Sequence, residues 1–499
     1  MRAETADSSG PVPPESLGMT LLVTGLLLLA PAAGAGAAAG ADRPPNIVHV
    51  VGDDIGYDDI GAFGAKDIPT PNLDRLARQG MRLTRFYAPS PLCTPTRAAI
   101  LTGSYAPRVG LPDVLFPFSK TGLADSEITI AELLKGRGYA TALVGKWHLG
   151  HQAAFLPTRH GFDRFFGIPY PNDHEPVRVI WEKPSGRPDY RPPPMPLYRD
   201  DRVIEEPADL VSLPHRITVE AVRFIRENKD RPFYLHLAPI ETHTPNFVSP
   251  RFAGFTACGA YCDAVHSVDW TIGEIDAVLQ DLGLEESTLV VYSSDNGPLL
   301  DDHADLPAVY GRHGDTNEER RHELRGGKGS VWEGGVRVGA VARWKGRIPP
   351  GSTSDEVVAG FDLYTTFARV AGAEPPADRV IDGRDIRPIL FGEPGARSPH
   401  EALYYYRSEW LGAVRSGRWK LVFGAAGGFS AAEQGEGNAA PAEALYDLET
   451  DPGERRDVLA AHPDVVIRLR VLAEKARDDI GDAATGRAGR NRRPSARVD

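Results

Sequence analysis

Four short apolar runs, each breaking at once into polar or charged residues, constrain this chain more than any other feature of its sequence. Asn46 to Val51 runs into Asp53 and Asp54, and Ala140 to Val144 into Lys146 and His148. Phe233 to Ala238 leads towards His243, and Leu289 to Tyr292 into Asp295 and Asn296. A run of this length without polar alternation reads as a strand buried on both faces, which needs helices on either side. The intervening sequence supplies them. Thr70 and Pro71 open a helix carrying Leu73, Leu76 and Ala77, with Gly80 as its stop. Thr129 and Glu132 have capping-box spacing ahead of Leu133 and Leu134. Val265, Val268, Ile272, Ile275 and Leu279 recur at helical period. The pattern predicts an α/β fold with a large, mostly parallel sheet flanked by helices, and such sheets bind ligands beyond the carboxyl ends of their strands. All four polar clusters fall at those ends, so residues far apart in sequence become candidates for one pocket.

A chain of 499 residues exceeds what one core organises, so a large domain with a smaller partner is expected. Residues 42–372 form the expected catalytic domain. The Gly/Pro-rich stretch from Gly372 to Pro376, after the helix-like Asp362 to Val370, marks its end. Residues 373–480 form a smaller α+β domain, in which Ala413 to Val422 around Gly417 resembles a hairpin of an antiparallel sheet. Pro169 to Pro214 is Pro-rich and lacks periodicity, as a long surface excursion would. The Arg/Gly/Ala-rich tail, 481–499, is expected to be disordered.

Residues 1–41 read as a signal peptide with an N-terminal extension. Leu21 to Ala30 is almost wholly apolar, and Pro31 to Ala41 offers small-residue cleavage sites. Export to a periplasmic, lumenal or extracellular compartment follows, with an uncleaved anchor as the alternative. Arg2 opposed by Glu4, Asp7 and Glu15 is a poor leader start, and Met19 is a second candidate start.

The net charge of −12 argues against nucleic acid and anionic membrane surfaces as partners but leaves a small anionic substrate open, because a local cationic pocket outweighs a screened global charge. Three cysteines are too few to staple the fold and leave at least one thiol unpaired. Cys258 and Cys262, four apart, suit a bridge poorly on a regular helix, so their pairing stays open.

The stretch from Pro91 to Gly103 reads PLCTPTRAAILTG, and Gly138 to His148 reads GYATALVGKWH. The first resembles the signature of the type I sulfatases, a family of the alkaline phosphatase superfamily. In that signature a C-x-P-[S/T/A]-R core, here Cys93 to Arg97, is recognised by a formylglycine-generating enzyme that oxidises the cysteine. Thr96 stands where serine is commonest. The second stretch matches the family's other signature, and LYRDDRVIEEP and LRGGKGSVWEGG look closest to the arylsulfatase A branch. The resemblance implies an alkaline phosphatase-like fold and hydrolysis of an aryl or carbohydrate sulfate ester with release of sulfate.

It also implies a site. Asp53, Asp54, Asp295 and Asn296 offer hard oxygen ligands, suited to Ca²⁺, with Mg²⁺ as the alternative, and Cys93 as formylglycine would complete the set. A sulfate ester is an anion that repels nucleophiles, so cations must cover its oxygens before attack. A hydrated aldehyde can accept sulfate on one hydroxyl and expel it by re-forming its C=O bond, which an ordinary serine or cysteine cannot do. By the same resemblance Arg97 and His148 hold and deprotonate that hydrate, Lys146 and Lys328 bind sulfate oxygens, and His243 acts with Lys328 to protonate the leaving alcohol or phenol.

Each of these residues alone has a duller explanation: a solvated Asp-Asp turn, a buried small thiol, a structural histidine. Their joint placement at strand ends is what argues for a site. Among the other histidines, His49 reads as a core residue, His151 and His160 carry no assigned role, and His174 with Asp173 is a minor candidate for substrate contact. Two other functions fit less well. A formylglycine-dependent phosphodiesterase or phosphonate hydrolase would share this machinery, and a non-catalytic binder of sulfated glycans would be expected to have lost part of it.

Overall fold

The four apolar runs become four adjacent parallel strands at the centre of one sheet. The computed structural model describes residues 43–172, 193–300, 323–424 and 443–498. Strands are numbered in chain order: β1 (Asn46–Gly52), β2 (Met81–Tyr87), β3 (Thr121–Gly122), β4 (Ala140–Lys146), β5 (Arg164–Ile168), β6 (Leu197–Arg199), β7 (Arg202–Glu205), β8 (Phe233–Ala238) and β9 (Thr288–Ser294). There follow β10 (Arg337–Arg343), β11 (Ser352–Ser354), β12 (Val358–Ala359), β13 (Leu403–Arg407), β14 (Trp410–Ser416), β15 (Trp419–Phe423), β16 (Glu443–Asp447) and β17 (Ala496–Arg497). The large sheet has 11 strands in the order β11-β2-β10-β9-β1-β8-β4-β5-β6-β7, with β12 also pairing β2. Its centre is parallel throughout, β9 to β1 to β8 to β4 to β5, while β10, β6 and β7 run antiparallel to their neighbours.

Alternation along each central strand sends side chains to two separate cores. Val48, Val50, Leu235, Leu237, Val290 and Tyr292 pack on one face against α1 (Pro71–Gln79) and the long helix Ala260–Asp281. Ile47, Tyr234, Leu143, Leu289 and Val291 pack on the other against α2 (Cys93–Thr102), α3 (Ile130–Lys135) and the helix Asp362–Val370. Helix ends follow the local signals. Thr70 and Gly80 flank α1, and the Thr129–Glu132 capping box closes on both sides. All of Val265, Val268, Ile272, Ile275 and Leu279 are buried.

A second, antiparallel sheet of 4 strands, β13-β14-β15-β16, packs with the helix Pro463–Asp479. Its core also takes in Tyr87, Val331, Trp332 and Phe361 from around the large sheet, so residues Pro44–Asp499 form one compact unit. A knot of buried charge lies where the two sheets meet. Lys420 on β15 sits 3.0 Å from Glu333 Oε1 and 2.8 Å from Glu454 Oε1, and both carboxylates are fully buried. Tyr87 O–H donates to Glu333 Oε2 at 2.6 Å, the Glu333 N–H donates to Glu454 Oε2 at 2.6 Å, and Arg415 contacts the Tyr87 hydroxyl.

Three expectations need correction or completion. The excursion from Pro169 to Pro214 is in part sheet, since β6 and β7 form a hairpin on its edge. Val203 and Ile204 on β7 are both 47% exposed, so no inward-outward alternation marks the strand. The tail expected to be disordered from Gly481 folds back onto the catalytic core. There β17 pairs antiparallel with β3, and Arg493 holds Glu127 with two hydrogen bonds of 2.6 and 3.0 Å. Cys258 and Cys262 are joined by a disulfide, Cα to Cα 5.8 Å, because the helix begins only at Ala260 and regular helical spacing does not apply to Cys258. The apolar leader and Asp173 with His174 lie outside the described residues. Among the described residues no helix is long and apolar enough to cross a membrane.

Candidate active site

Six chain segments deliver the predicted polar residues to one place, beyond the carboxyl ends of the central strands. Asp53 and Asp54 directly follow β1, and Asp295 and Asn296 directly follow β9. Asp54 adopts a left-handed backbone, φ 57°, and its N–H donates to Asp295 Oδ1 at 3.1 Å, locking the two strand ends together. Lys146 ends β4, and His148 two residues on is also left-handed, φ 63°. His243 lies in the loop after β8, and Lys328 in the glycine-rich loop before β10. Cys93 opens α2 and Arg97 lies one turn further along the same face.

The side chains interlock. Lys146 Nζ lies 2.6 and 2.9 Å from the two Asp53 oxygens. Arg97 donates from Nε and Nη2 to Asp295 Oδ2 at 3.1 and 2.8 Å and comes within 3.6 Å of Asp53. Lys328 Nζ donates to Asp54 Oδ2 at 2.7 Å and lies 3.0 Å from His243 Nε2. Cys93 Sγ sits 3.9 Å from Asp53 Oδ1, and the residue is 1% exposed. Every predicted site residue is buried and belongs to this one cluster, except that His148 reaches it through its backbone and ring environment rather than by a direct bond to the others.

Burial and neighbouring charge set the protonation states. Against the cost of burial, Lys146 and Arg97 hold the Asp53 carboxyl well below its usual range. Burial and the adjacent Asp53 charge raise Asp295. Burial pushes the Cys93 thiol up to about 12, so as a plain cysteine it is neutral and a poor nucleophile. Burial, then Lys328, lowers His243, and burial, then Lys146, lowers His148 well below the ordinary histidine range, so both imidazoles are neutral. Lys328 stays charged because Asp54 more than offsets its desolvation.

Neutral rings have definite tautomers, set by their partners. His243 Nδ1 lies 2.7 Å from the Thr244 carbonyl and must carry its proton there, which leaves Nε2 to accept from Lys328. His148 Nε2 lies 2.9 Å from the Leu115 carbonyl, which leaves the lone pair on Nδ1, a buried atom without a partner among the described residues.

The donor set fits a hard divalent cation. Ligand oxygens of Asp53, Asp54 and Asp295 lie within 4.8 Å of one another, and Asn296 Oδ1 beside them is a buried acceptor with no partner among the described residues. An orphan acceptor amid carboxylates is what a metal ion satisfies.

Sequence reasoning missed the supports. Thr242 Oγ1 donates to the Asp53 carbonyl at 2.6 Å, and Asn172 Nδ2 donates to the His243 and Pro245 carbonyls at 3.1 and 2.8 Å. Glu241, buried and raised by desolvation, accepts from Ser267. Only the adjacency of Glu241 and Thr242 to His243 offered a signal. His49 is a core residue: its Nε2 lies 3.3 Å from Ser293 Oγ, and burial lowers it to about 3. His160 is buried and stacked on Trp147.

Comparison with known proteins follows this geometry. The profile of the sulfatase family matches residues 45–373, and that of the C-terminal region of aryl-sulfatase matches residues 398–497. Human arylsulfatase A is 39% identical over 473 residues, covering 89% of each chain. Mouse steryl-sulfatase is 39% identical over 498 residues, covering 83% of this chain and 78% of its own. Canine N-acetylgalactosamine-6-sulfatase is 40% identical over 418 residues, 80% of this chain and 75% of its own. Among solved structures, a sulfatase from Pseudoalteromonas sp. superposes with a TM-score of 0.74 at 28% identity, covering 87% of this chain and 90% of that one. A fold of this topology, the matched profiles and relatives of this identity lead to one conclusion: the chain belongs to the sulfatase family and is an enzyme of that class.

Proposed function

We propose that this sulfatase releases inorganic sulfate from an aryl or carbohydrate sulfate ester through Cys93 oxidised to formylglycine, beside one Ca²⁺ held by Asp53, Asp54, Asp295 and Asn296. The observation that carries the reading is the position of Cys93: at the head of α2, 3.9 Å from an Asp53 oxygen, in a pocket that also gathers Arg97, Lys146 and Lys328. A thiol there, held neutral by burial, has no evident use as it stands.

As a hydrated aldehyde the residue supplies one oxygen to take the sulfuryl group and a second whose deprotonation drives sulfate out. The ion would polarise sulfate oxygens and lower the charge barrier to attack. The chain's own residues do the rest. Lys146 and Lys328, both buried, present fixed positive charge to the incoming sulfate where such charge acts far more strongly than in solution. His148 Nδ1, with its lone pair free, is the atom placed to take a proton from the hydrate. Lys328 and His243 Nε2 share a proton across 3.0 Å that the leaving oxygen can receive. Arg97 holds Asp295 and the Lys146 carbonyl in place.

The ester itself is set by loops around this pocket. Relatives named for steryl, aryl and N-acetylgalactosamine-6-sulfate esters, and a solved structure bound to a neocarrahexaose, put both aryl-like and sugar substrates within range. Modification by a formylglycine-generating enzyme and export through the leader belong to the same proposal. The test is the peptide mass across Cys93 from the native host, together with sulfate and phosphate release from paired esters of one phenol. An aldehyde mass and preference for the sulfate ester are expected. Preference for the phosphate would favour the phosphodiesterase reading, and an unmodified thiol in active protein would overturn the proposed nucleophile.

A further inference from the structure

Thr94 occupies the variable position of the cysteine signature, yet its side chain is fully buried and makes two hydrogen bonds, both to backbone. Its hydroxyl donates to the His148 carbonyl at 2.9 Å and accepts the Leu115 N–H at 3.2 Å. The Leu115 carbonyl in turn accepts His148 Nε2–H at 2.9 Å. The three bonds close a ring: Thr94 to the His148 backbone, His148 ring to Leu115, and Leu115 back to Thr94.

We infer that Thr94 is a positioning residue for His148, fixing through Leu115 both the tautomer and the placement of the imidazole that serves as base. This rests on the reading of His148 given under the proposed function. Three observations converge on it. A left-handed backbone at a non-glycine residue needs outside support, and both His148 backbone groups have it: N–H to the Pro169 carbonyl at 3.1 Å, C=O to Thr94. Leu115 has its N–H and C=O both committed within the ring, so the carbonyl that selects the tautomer is itself held by the Thr94 hydroxyl. The Nδ1 lone pair then emerges as the only unpartnered polar atom of His148 among the described residues. A threonine hydroxyl can donate once and accept at the same time, which is what the ring requires; valine has the shape without either function.

The variants are Thr94→Val and Thr94→Ser, assayed on one aryl sulfate per mole of formylglycine, the aldehyde being counted by peptide mass. Thr94→Val is expected to lower kcat by about 10- to 100-fold with KM within about 3-fold of wild type, since a base misplaced by a fraction of an ångström costs this much while sulfate binding is untouched. Thr94→Ser should recover kcat to within about 3-fold. Nitrogen-15 spectra of the His148 ring should show the Nε2–H tautomer in wild type and a mixture in Thr94→Val. Equal rates for Val and wild type, equal losses for Val and Ser, or an Nδ1–H tautomer in the wild-type ring would each overturn the assignment. Where Thr94→Val fails to accumulate, Thr94→Ala, which removes the hydroxyl without added bulk, is read by the same spectrum, which needs no turnover. Wild-type protein that carries the aldehyde yet releases no sulfate would instead sink the proposed function.

Discussion

The molecule buries charge in two places, and the two are built differently. At the strand ends, Asp53, Asp54 and Asp295 face Arg97, Lys146 and Lys328. Where the sheets meet, Glu333 and Glu454 share Lys420, with Tyr87 and Arg415 behind them. Among the described residues, every grouping able to hold a metal ion lies in the first cluster. There, an Asn296 oxygen and His148 Nδ1 are left without partners. In the second, Lys420 on β15 of the small sheet holds Glu333, which opens the short helix leading into β10 of the large one, and so stitches the two sheets together. The difference is between a cluster that leaves capacity for something to arrive and one that is closed. Buried ion pairs are weak evidence for stability in general, yet breaking one strands its partner, so the closed cluster should register in folding and the open one in turnover.

Replacing the proposed nucleophile should give the largest effect. Cys93→Ala is expected to reduce sulfate release by a factor on the order of 10⁴ or more while its thermal midpoint stays near wild type. A variant that retains measurable turnover would remove Cys93 from the chemistry. In the closed cluster the outcome should be reversed. Lys420→Met leaves Glu333 and Glu454 buried without their cation, and denaturant titration should show a loss of about 3–5 kcal/mol with the rate per folded molecule unchanged. A selective fall in rate at intact stability would erase the distinction drawn here.

Lys328→Ala sharpens it from the other side. Its kcat/KM should drop by about 10²-fold with any bound metal, counted by elemental analysis, near wild type, because in the proposed mechanism the lysine serves the substrate rather than the ion. The smallest effect is a slope with pH. Glu454 is raised from 4.5 to about 7 by burial and by Glu333, so between those values the folded chain holds a proton that the unfolded chain has released. Stability therefore falls as pH rises from about 4.5 to 7, with no further change above. Glu333, whose carboxyl is lowered once Lys420 and Arg415 offset its burial, acts in the opposite sense and only below the ordinary carboxylate range. Glu454→Gln should flatten the slope between about 4.5 and 7 in melts across that range. An unchanged slope would mean that Glu454 is ionised throughout.

What the sequence made legible were features with a local signature. The central strands and the ends of α1 and α3 declare themselves through apolar runs and capping residues within a few positions. β7 does not, because its exposed valine and isoleucine break the pattern by which a half-buried strand is recognised. The ordered tail was invisible for a different reason: Arg493 is held by Glu127, a partner far away in the chain, and composition alone cannot foretell such a pair. The site shows the same split. Side chains that would do chemistry stand out by type and motif, whereas the groups that aim them, such as the Leu115 carbonyl and the amide of Asn172, act on or through the backbone and leave no mark of type.

The burial of Cys93 gives its proposed oxidation a deadline. Once α2 is docked and the strand ends have closed over it, no protein can grip the segment around this residue, and a thiol so reluctant to ionise will not react with a dissolved oxidant. The proposed conversion would therefore have to precede folding, while the segment is still an extended stretch of nascent chain. On that proposal, a molecule that won the race to its native shape unconverted would stay a thiol for life, soundly folded and inert, and the share of active molecules in a preparation would record how that race was run.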